Sequence, residues 1–344
     1  MKPFVIGEHQ VAPGERAMAD LPVSVLSNYT PMTLPVHVRH GRRPGPVMFL
    51  SGAVHGDEIQ GVEIIRRVLR HKSLESLSGT LLAIPIVNAF GFLNHSRYMP
   101  DRRDLNRSFP GSDHGSLASL LADLFMREVV LRSDYGIDIH TAALHRSNLP
   151  QIRIAPDEPE LLKLALAFGP PVVLVSKLRE GTLRQCARDV GVKVLLYEGG
   201  EALRFEEVAI RAGTLGILRV MKALSMIEAG EANQGKVAPA LSHSSTWLLA
   251  PEGGILRSKR GIGDHVNKGE TIGEISDPAG ERSAAVVSED DGIIIGRTNL
   301  PVVNRGDALY HVARMKDVST GRARVAHIGS ELAQATLPDE DEII

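Results

Sequence analysis

The segment FLSGAVHGDEIQG, residues 49–61, ends an apolar run in small residues and then presents His55, Asp57 and Glu58. His55 and Glu58 stand three residues apart, where a predicted strand enters a predicted helix, and this spacing lets both side chains face one point. Taken alone, such a pair is more often a carboxylate in the first turn of a helix, stabilised by the helix dipole. Other polar residues must decide between a metal site and a polar turn.

Further polar residues stand where predicted strands end. His140 closes YGIDIHT, Glu198 closes VKVLLYEGG, and Asn106 with Arg107 lies in the loop segment DLNRSFPG. Each of them alone also fits a structural role, as a hydrogen-bonded histidine, a turn acid, or a loop cap and ion pair. In open α/β sheets, ligands bind outside the carboxyl ends of the strands, so residues distant in sequence converge there. We therefore expect these side chains to share one site.

Together these residue types match the requirements of metal-assisted hydrolysis. A catalytic zinc needs about three protein ligands of the His or carboxylate type and one open position, and His55, Glu58 and His140 supply that set. A nearby carboxylate can then act as general base and afterwards as general acid, and Glu198 is placed for this role. Guanidinium groups suit an oxyanion and a substrate carboxylate. The loop supplies four of them, at Arg97, Arg102, Arg103 and Arg107.

The segments HGDE, DLNRSFPG, DIHT and YEGG, in that order, resemble the succinylglutamate desuccinylase/aspartoacylase family, a branch of the zinc carboxypeptidase superfamily. The match covers roughly residues 46–222. In such enzymes the first and third motifs bind zinc, which implies one zinc ion per chain on the three residues named above. The fourth motif carries the general base, matching Glu198, and Asn106 with Arg107 resembles the pair that holds the substrate carboxylate.

The resemblance also implies roles for further arginines. Arg97 resembles the residue that polarises the scissile carbonyl, with Arg102 and Arg103 as competitors in the same loop. Arg184 stands where relatives often carry another anion-binding arginine, with Arg188 as its neighbouring rival. The implied activity is hydrolysis of the amide bond of an N-acyl amino acid or similar small carboxylate. The alternatives are a zinc carboxypeptidase that acts on peptide C-termini and a binding protein that keeps the scaffold without catalysis.

Composition excludes other classes of function. The 344 residues carry a formal charge of -2, a sequence pI near 6.7 and 4% aromatic residues, so nothing indicates a nucleic-acid surface. The absence of a long uncharged apolar run argues against a membrane span and favours a cytoplasmic protein. The single cysteine, Cys186, excludes an internal disulfide and a multi-cysteine metal site. The sequence does not determine the oligomeric state, and a homo-oligomer is compatible with it.

Apolar runs that alternate with helical periods between residues 46 and 222 predict an α/β fold with a mostly parallel or mixed central sheet. The expected strands are PVMFLSG, TLLAIPIVN, YGIDIH, QIRIA, PVVLVS and VKVLLYEGG, uniformly apolar as in a sheet covered on both faces. In the helix after residue 60, the spacing of Val62, Ile65 and Leu69 predicts the buried face.

The pattern changes near residue 228 and divides the chain. VNKGETI in residues 253–275 is echoed by VNRGDAL in residues 291–312, which indicates two related halves of a small barrel-sandwich domain that resembles the biotinyl/lipoyl type. Carrier domains display a modified lysine between the halves, whereas residues 276–292 contain none, so a carrier role is disfavoured. The predicted parts are an N-terminal extension with strands (1–45), a catalytic domain (46–228), a linker (229–246), the lipoyl-like domain (247–330) and an acidic tail (331–344).

Overall fold

The computed structural model describes residues 1–228 and 238–315. Part of the predicted linker (229–237), the end of the predicted β domain (316–330) and the acidic tail (331–344) lie outside the described residues. The strands are β1 (Phe4–Ile6), β2 (His9–Val11), β3 (Arg16–Val25), β4 (Pro31–His40), β5 (Arg43–Gly52), β6 (Ser78–Ile84), β7 (Tyr135–Ala142), β8 (Arg146–Ile154), β9 (Val172–Val175), β10 (Lys193–Glu201), β11 (Ala240–Ser242), β12 (Ser245–Leu249), β13 (Gly254–Ser258), β14 (His265–Val266), β15 (Thr271–Ser276), β16 (Ser283–Val287), β17 (Gly292–Thr298), β18 (Val302–Val303) and β19 (Ala308–Arg314). The helices are α1 (Gln60–Arg70), α2 (Ala89–Leu93), α3 (Leu117–Glu128), α4 (Pro159–Phe168), α5 (Leu183–Asp189) and α6 (Glu207–Ala223), with 3₁₀ turns at Lys72–Ser76, Leu105–Arg107 and Val130–Arg132.

One large mixed sheet organises the molecule. Its order is β12, β19, β17, β8, β10, β7, β5, β6, β4 and β3, with β9 and β11 attached beside β8 and β14 beside β17. Strands β6, β5, β7 and β10 run parallel, while β4 and β8 flank them in the antiparallel direction. The predicted α/β class with a mixed sheet is therefore confirmed, and the carboxyl ends of β5, β7 and β10 meet at one edge.

Helices cover both faces of the parallel strands. On β5, Phe49 packs with α3 and α5 on one side of the sheet, while Met48 and Leu50 pack with α1, α4 and α6 on the other. Burial on both faces explains why these strands read as continuous apolar runs. Within the described residues, no helix combines the length and the apolar character that a membrane crossing needs.

The buried face of α1 differs from the predicted one. Ile64, Ile65 and Val68 are fully buried, whereas Val62 and Leu69 are only half-buried. The helix packs against β5 on one side and α6 on another. Ile65 is therefore buried as predicted, and Leu69 packs against the same core at its edge. Because two neighbours cover α1, its buried surface is wider than a single stripe and is centred away from Val62.

Several of the C-terminal β strands, among them β12, β17 and β19, belong to the central sheet. β17 pairs antiparallel with β8, matching Gly296 to Asn148 and Thr298 to Arg146, and so continues the central sheet into the β domain. A second sheet, in the order β16, β15, β13 and β18, packs on this extension around a common core that includes Leu256, Ile275 and Leu309. The β domain therefore has a fixed position beside the carboxyl end of β10.

Candidate functional site

The eight residues to which the sequence analysis assigned a role in the site line one cavity of about 500 Å³ at the carboxyl ends of β5, β7 and β10. They are His55, Glu58, Arg97, Asn106, Arg107, His140, Arg184 and Glu198. The loop after β5 carries His55 and Glu58. The register of the sheet brings His140 and Glu198 together, because His140 on β7 lies directly opposite Glu198 on β10. The convergence of strand ends therefore assembles residues that are up to 143 positions apart in the sequence.

His55, Glu58 and His140 form a buried cluster in which one ligand atom from each lies within 4.8 Å of the others. Both imidazoles turn Nδ1 toward the Glu58 carboxylate, at 2.6 Å from His55 to Oε1 and 2.7 Å from His140 to Oε2. The backbone N–H of Thr141 also donates to Oε2, at 3.1 Å. The three side chains thus point their ligand atoms at one place.

A second layer of carboxylates fixes the two imidazoles. His140 Nε2 lies 2.8 Å from Asp138 Oδ2, and Ser51 Oγ donates to the other oxygen of Asp138 at 2.7 Å. His55 Nε2 lies 3.1 Å from Asp104 Oδ1. A carboxylate that accepts from Nε2 leaves Nδ1 as the metal-ligating atom and orients the ring. Sequence reasoning missed these partners, although both lie within the quoted motifs, at DIHT and DLNR.

The cluster fits a divalent metal ion. Two imidazoles and one carboxylate are the donor set of a catalytic zinc site, and the outer carboxylates complete the usual support. Among the described residues, this is the group of His, Cys, Asp and Glu side chains whose ligand atoms converge closely enough to hold such an ion.

The charges of the cluster are strongly coupled. Burial by itself would raise the pKa of Glu58, but the attraction of His55 and His140 and their hydrogen bonds outweigh it and hold this pKa far below its usual range. Burial would lower the pKa of both histidines, yet the neighbouring carboxylates raise it, most strongly at His140 beside Asp138 and Glu58. A metal ion bound to this cluster would therefore compete with protons for the same Nδ1 atoms.

The loop that carries His55 depends on a glycine. A Cβ atom at Gly56 would lie 2.0 Å from the carbonyl carbon of Gly91 in α2. Because the two backbones approach so closely, only glycine fits between His55 and Asp57. Asp57 itself is buried but does not line the cavity.

Glu198 faces the same cavity from β10. Asn148 Nδ2 donates to its Oε2 at 2.6 Å, and Arg153 Nη1 lies 3.4 Å from its Oε1. Oε2 is therefore held by a short hydrogen bond, while Oε1 has only a long ion pair. Neither Asn148 nor Arg153 was predicted, and both line the cavity.

The loop arginines are distributed unequally. Arg97 reaches the cavity, where Nη1 donates to Glu58 at 3.1 Å and Nη2 donates to Asp104 at 3.0 Å. Arg102 and Arg103 are exposed and do not line the cavity. Of the three candidates for polarising a carbonyl, the geometry favours Arg97, whose assignment stays a prediction.

The predicted anion-binding residues occupy another wall. Asn106 is buried, and its Oδ1 accepts from the backbone N–H of Leu183 at the start of α5, which leaves its amide N–H groups for a ligand. Arg107 hydrogen-bonds the Asn106 carbonyl oxygen and is otherwise exposed at the cavity. Arg188, the rival of Arg184, pairs instead with Glu158 at 3.1 Å, outside the cavity.

Arg184 is half-buried in the cavity wall. Its Nη2 donates to Ser176 Oγ at 3.3 Å, and its buried Nη1 has no hydrogen-bond partner within residues 1–228 and 238–315. Burial, followed by the charge of Arg153, lowers the pKa of Arg184 to about 10, so the side chain remains cationic at neutral pH. A buried guanidinium with an unused donor is suited to an anionic ligand.

The β domain forms part of the cavity wall. Ser245, Trp247 and His311 line it, opposite Arg146 of β8. Trp247 stacks on His311 with ring centroids 4.6 Å apart and an interplanar angle of 9°, and the Arg146 guanidinium carbon lies 5.3 Å from the Trp247 centroid. Sequence reasoning missed all four, because no motif connects these strands.

Comparison with known proteins agrees with this geometry. A sequence model of the succinylglutamate desuccinylase/aspartoacylase catalytic domain matches residues 44–224. The N-alpha-acetyl-L-2,4-diaminobutyric acid deacetylase of Halomonas elongata is 26% identical over 286 residues, which span 80% of this chain and 84% of that protein.

Solved structures share the fold over most of the chain. A succinylglutamate desuccinylase/aspartoacylase from Rhodobacter sphaeroides superposes with a TM-score of 0.76 at 28% identity, covering 86% of this chain and 95% of the other. The product-bound ectoine utilization protein EutE (DoeB) from Ruegeria pomeroyi superposes with a TM-score of 0.78 at 21% identity, covering 88% and 95%. Both comparisons extend beyond the catalytic strands into the β domain.

Proposed function

Because this chain belongs to the succinylglutamate desuccinylase/aspartoacylase family, we propose that it is a zinc-dependent hydrolase that cleaves the amide bond of an N-acyl amino acid. The observation that carries the proposal is the buried group of His55, Glu58 and His140 in one cavity with Glu198. The relative from Halomonas elongata, a deacetylase of an acetylated amino acid, supports the same reaction class.

The three metal ligands would hold one zinc ion. When bound, such an ion supplies Lewis acidity, which polarises a carbonyl oxygen and lowers the pKa of water. Asp138 and Asp104 hold the imidazole rings in the orientation that ligation requires. Arg97 keeps one unused N–H on each terminal nitrogen and is placed to stabilise the negative charge that develops on the carbonyl oxygen.

Glu198 moves the proton. Asn148 fixes Oε2, so Oε1 is the oxygen that accepts a proton from the attacking water and then transfers it to the departing amine. Asn106 and Arg107 bind the carboxylate of the amino acid through the amide N–H groups and the guanidinium. These contacts orient the amide bond between the metal ligands and Glu198.

The position of the β domain bears on the alternative of a peptide substrate. Ser245, Trp247 and His311 line one side of the cavity, and its volume of about 500 Å³ suits a small N-acyl amino acid better than a polypeptide. A cytoplasmic location and a homo-oligomer stay predictions from the sequence.

The proposal is tested on protein purified without chelator, by metal analysis and by a screen of N-acyl amino acids and short peptides before and after chelation. We expect near-stoichiometric zinc and deacylation that a chelator abolishes. Glu198→Gln should retain zinc and lose about 10²- to 10⁴-fold in kcat, whereas His140→Ala should lose the metal itself.

Matched controls are exposed residues of the same types that do not line the cavity. Glu180→Gln and His114→Ala should keep both zinc and turnover. Full turnover in Glu198→Gln would remove the base assignment, and a purified protein that never takes up metal would refute the metal site. Stoichiometric zinc without turnover of any N-acyl amino acid would favour a binding protein.

A further inference from the structure

Gln60 is a buried polar residue that the proposed reaction does not use. It is the first residue of α1, two positions after Glu58, and it is 1% exposed. Its Nε2 donates to the carbonyl oxygen of Gly199 at 3.0 Å, a contact between residues 139 positions apart in the sequence. Gly199 directly follows the proposed base, Glu198. The Gln60 amide therefore connects the segment that carries two predicted metal ligands to the strand that carries the base.

Strand β10 is irregular at the residue that Gln60 contacts. The pairing of β10 with β8 shifts register between Glu198 and Gly200, and its pairing with β7 shifts between Glu198 and Glu201. Within the described residues, Gly199 has no partner residue in either pairing. A bulged residue leaves the regular ladder of hydrogen bonds and changes the direction of a neighbouring side chain. The direction of the Glu198 side chain therefore depends on the peptide at Gly199, which the Gln60 amide holds.

The end of β10 fits closely around the Gln60 amide. Gly200 has a positive φ of 72°, and a Cβ atom at this position would overlap Gln60 Nε2. Glycine is therefore required beside the amide. The backbone N–H of Leu203 donates to the Asp57 carbonyl oxygen at 2.8 Å and joins the same two segments a second time. Of these two connections, the one at Gly199 depends on a side chain.

The Gln60 side chain also carries a penalty in the folded state. Its Oε1 is buried and has no hydrogen-bond partner within residues 1–228 and 238–315. An unpaired buried amide oxygen destabilises a folded protein. An apolar side chain of similar length, such as methionine, would remove this penalty but could not donate to Gly199. Stability alone therefore does not explain a glutamine at this position, whereas the orientation of the neighbouring base does.

We propose that Gln60 is a positioning residue, whose hydrogen bond to Gly199 holds the peptide after Glu198 so that the Glu198 carboxylate faces the predicted metal ligands. This inference rests on the proposed function, because it concerns the base of that reaction. Gln60 does not line the cavity, so it acts through Glu198. Asn148 holds the carboxylate itself, at Oε2, whereas Gln60 holds the backbone behind it. Loss of the amide lets the carboxylate take other directions, which lowers kcat and leaves substrate binding unchanged.

Gln60→Met keeps the length of the side chain and removes the donor. On zinc-loaded protein, we expect kcat to fall about 10- to 100-fold while KM changes by less than about twofold. The Tm should stay within about 3 °C of the wild type, because the lost bond to Gly199 and the removal of the unpaired Oε1 act in opposite directions. Gly200→Ala displaces the same amide from the β10 side and should give a similar loss of kcat. Gln185→Met, a matched change at a half-buried glutamine of α5 outside the cavity, should change neither kcat nor KM.

A double-mutant cycle assigns the effect to the base. Gln60→Met added to Glu198→Gln should lower kcat further by less than about twofold, because the base that Gln60 positions is already lost. Gln60→Met added to Arg107→Met should still lower kcat about 10- to 100-fold, since Arg107 binds substrate independently of Glu198. A full loss in both backgrounds would show that Gln60 does not act through Glu198 and would overturn the inference.

Two measurements without turnover separate this inference from the proposed reaction. Amide hydrogen exchange in residues 199–203 should become about tenfold faster in Gln60→Met, with exchange in residues 135–139 of β7 unchanged. Zinc affinity should stay within about twofold of the wild type, and a tenfold loss would mean that Gln60 supports Glu58 instead, which would overturn the inference. Unchanged exchange in residues 199–203 would also overturn it. If the wild type hydrolyses no N-acyl amino acid but this exchange depends on Gln60, the proposed hydrolysis fails while the positioning of the Gly199 peptide stands.

Discussion

The two walls of the cavity differ in how their charges are satisfied. Around the predicted metal ligands, at the carboxyl ends of the parallel strands, each imidazole and carboxylate has close partners of opposite character, with contacts of 2.6 Å to 3.1 Å. On the side shared with the β domain, Arg146 lies over the Trp247 ring and has no carboxylate partner among residues 1–228 and 238–315. A saturated network fixes a geometry, whereas unsatisfied donors are available to a ligand. This difference supports our proposal that the first wall carries catalysis, and it leaves donors for a ligand on the second wall.

A row of paired residues connects the two walls. From β12 to β10, Trp247 lies opposite His311, His311 opposite Gly296, Gly296 opposite Asn148, and Asn148 opposite Gly200. Asn148 then donates to Glu198. The wall formed with the β domain and the proposed base Glu198 are therefore parts of one sheet. A substitution in this row can therefore displace the Glu198 side chain.

The largest expected effect tests the cavity wall around His55, Glu58 and His140, where every charged group has a close partner. Asp138→Asn removes the charge that holds His140 Nε2 while keeping the size of the side chain, so zinc affinity should fall about 10- to 100-fold. Competition with a chromogenic chelator measures this affinity. A shift of less than twofold would mean that Asp138 does not support the ligand. Asp290→Asn, a change in an ion pair on the β-domain surface, is the matched control and should leave zinc binding unchanged.

A smaller effect tests the connection between the walls. A Cβ at Gly296 would lie 2.7 Å from Asn148 Oδ1, so Gly296→Ala should displace the amide that fixes Glu198. We expect kcat to fall about tenfold, with metal content and KM retained, and Asn148→Ala to give a similar loss. Steady-state kinetics on zinc-loaded protein provide the measurement. Unchanged kcat in both variants would show that the β domain does not act on Glu198 through this row.

The smallest expected effect concerns pH. The raised pKa values of His55 and His140 stabilise the metal-stripped protein below the unfolded pKa of about 6.5, and this contribution is lost as the pH rises through the folded pKa values. Ligation needs neutral imidazoles, so the difference in Tm between zinc-loaded and chelator-treated protein should grow from pH 6.5 upward. Thermal denaturation at several pH values measures it. A difference that shrinks with rising pH would contradict the proton competition.

The sequence alone predicted the wall of the cavity whose residues belong to short motifs. HGDE, DIHT and YEGG each end or follow a buried strand, and the rule that ligands bind at strand ends is enough to bring them together. The apolar runs also predicted the α/β sheet. The predicted face of α1 was correct at Ile65 and at the packed edge residue Leu69, but it missed Ile64 and Val68, since the covering by α6 is a tertiary contact that the period of one helix does not reveal.

Only the tertiary structure decided the second wall. Arg146, Asn148, Trp247 and His311 belong to three strands, and each looks like an ordinary sheet residue in the sequence. They meet because β17 pairs with β8 in one register, and backbone pairing between segments about 150 residues apart leaves no local pattern. The sequence determined the chemistry of the cavity because strand ends converge by a general rule of α/β sheets, whereas the partner that β8 acquires depends on how the whole chain packs.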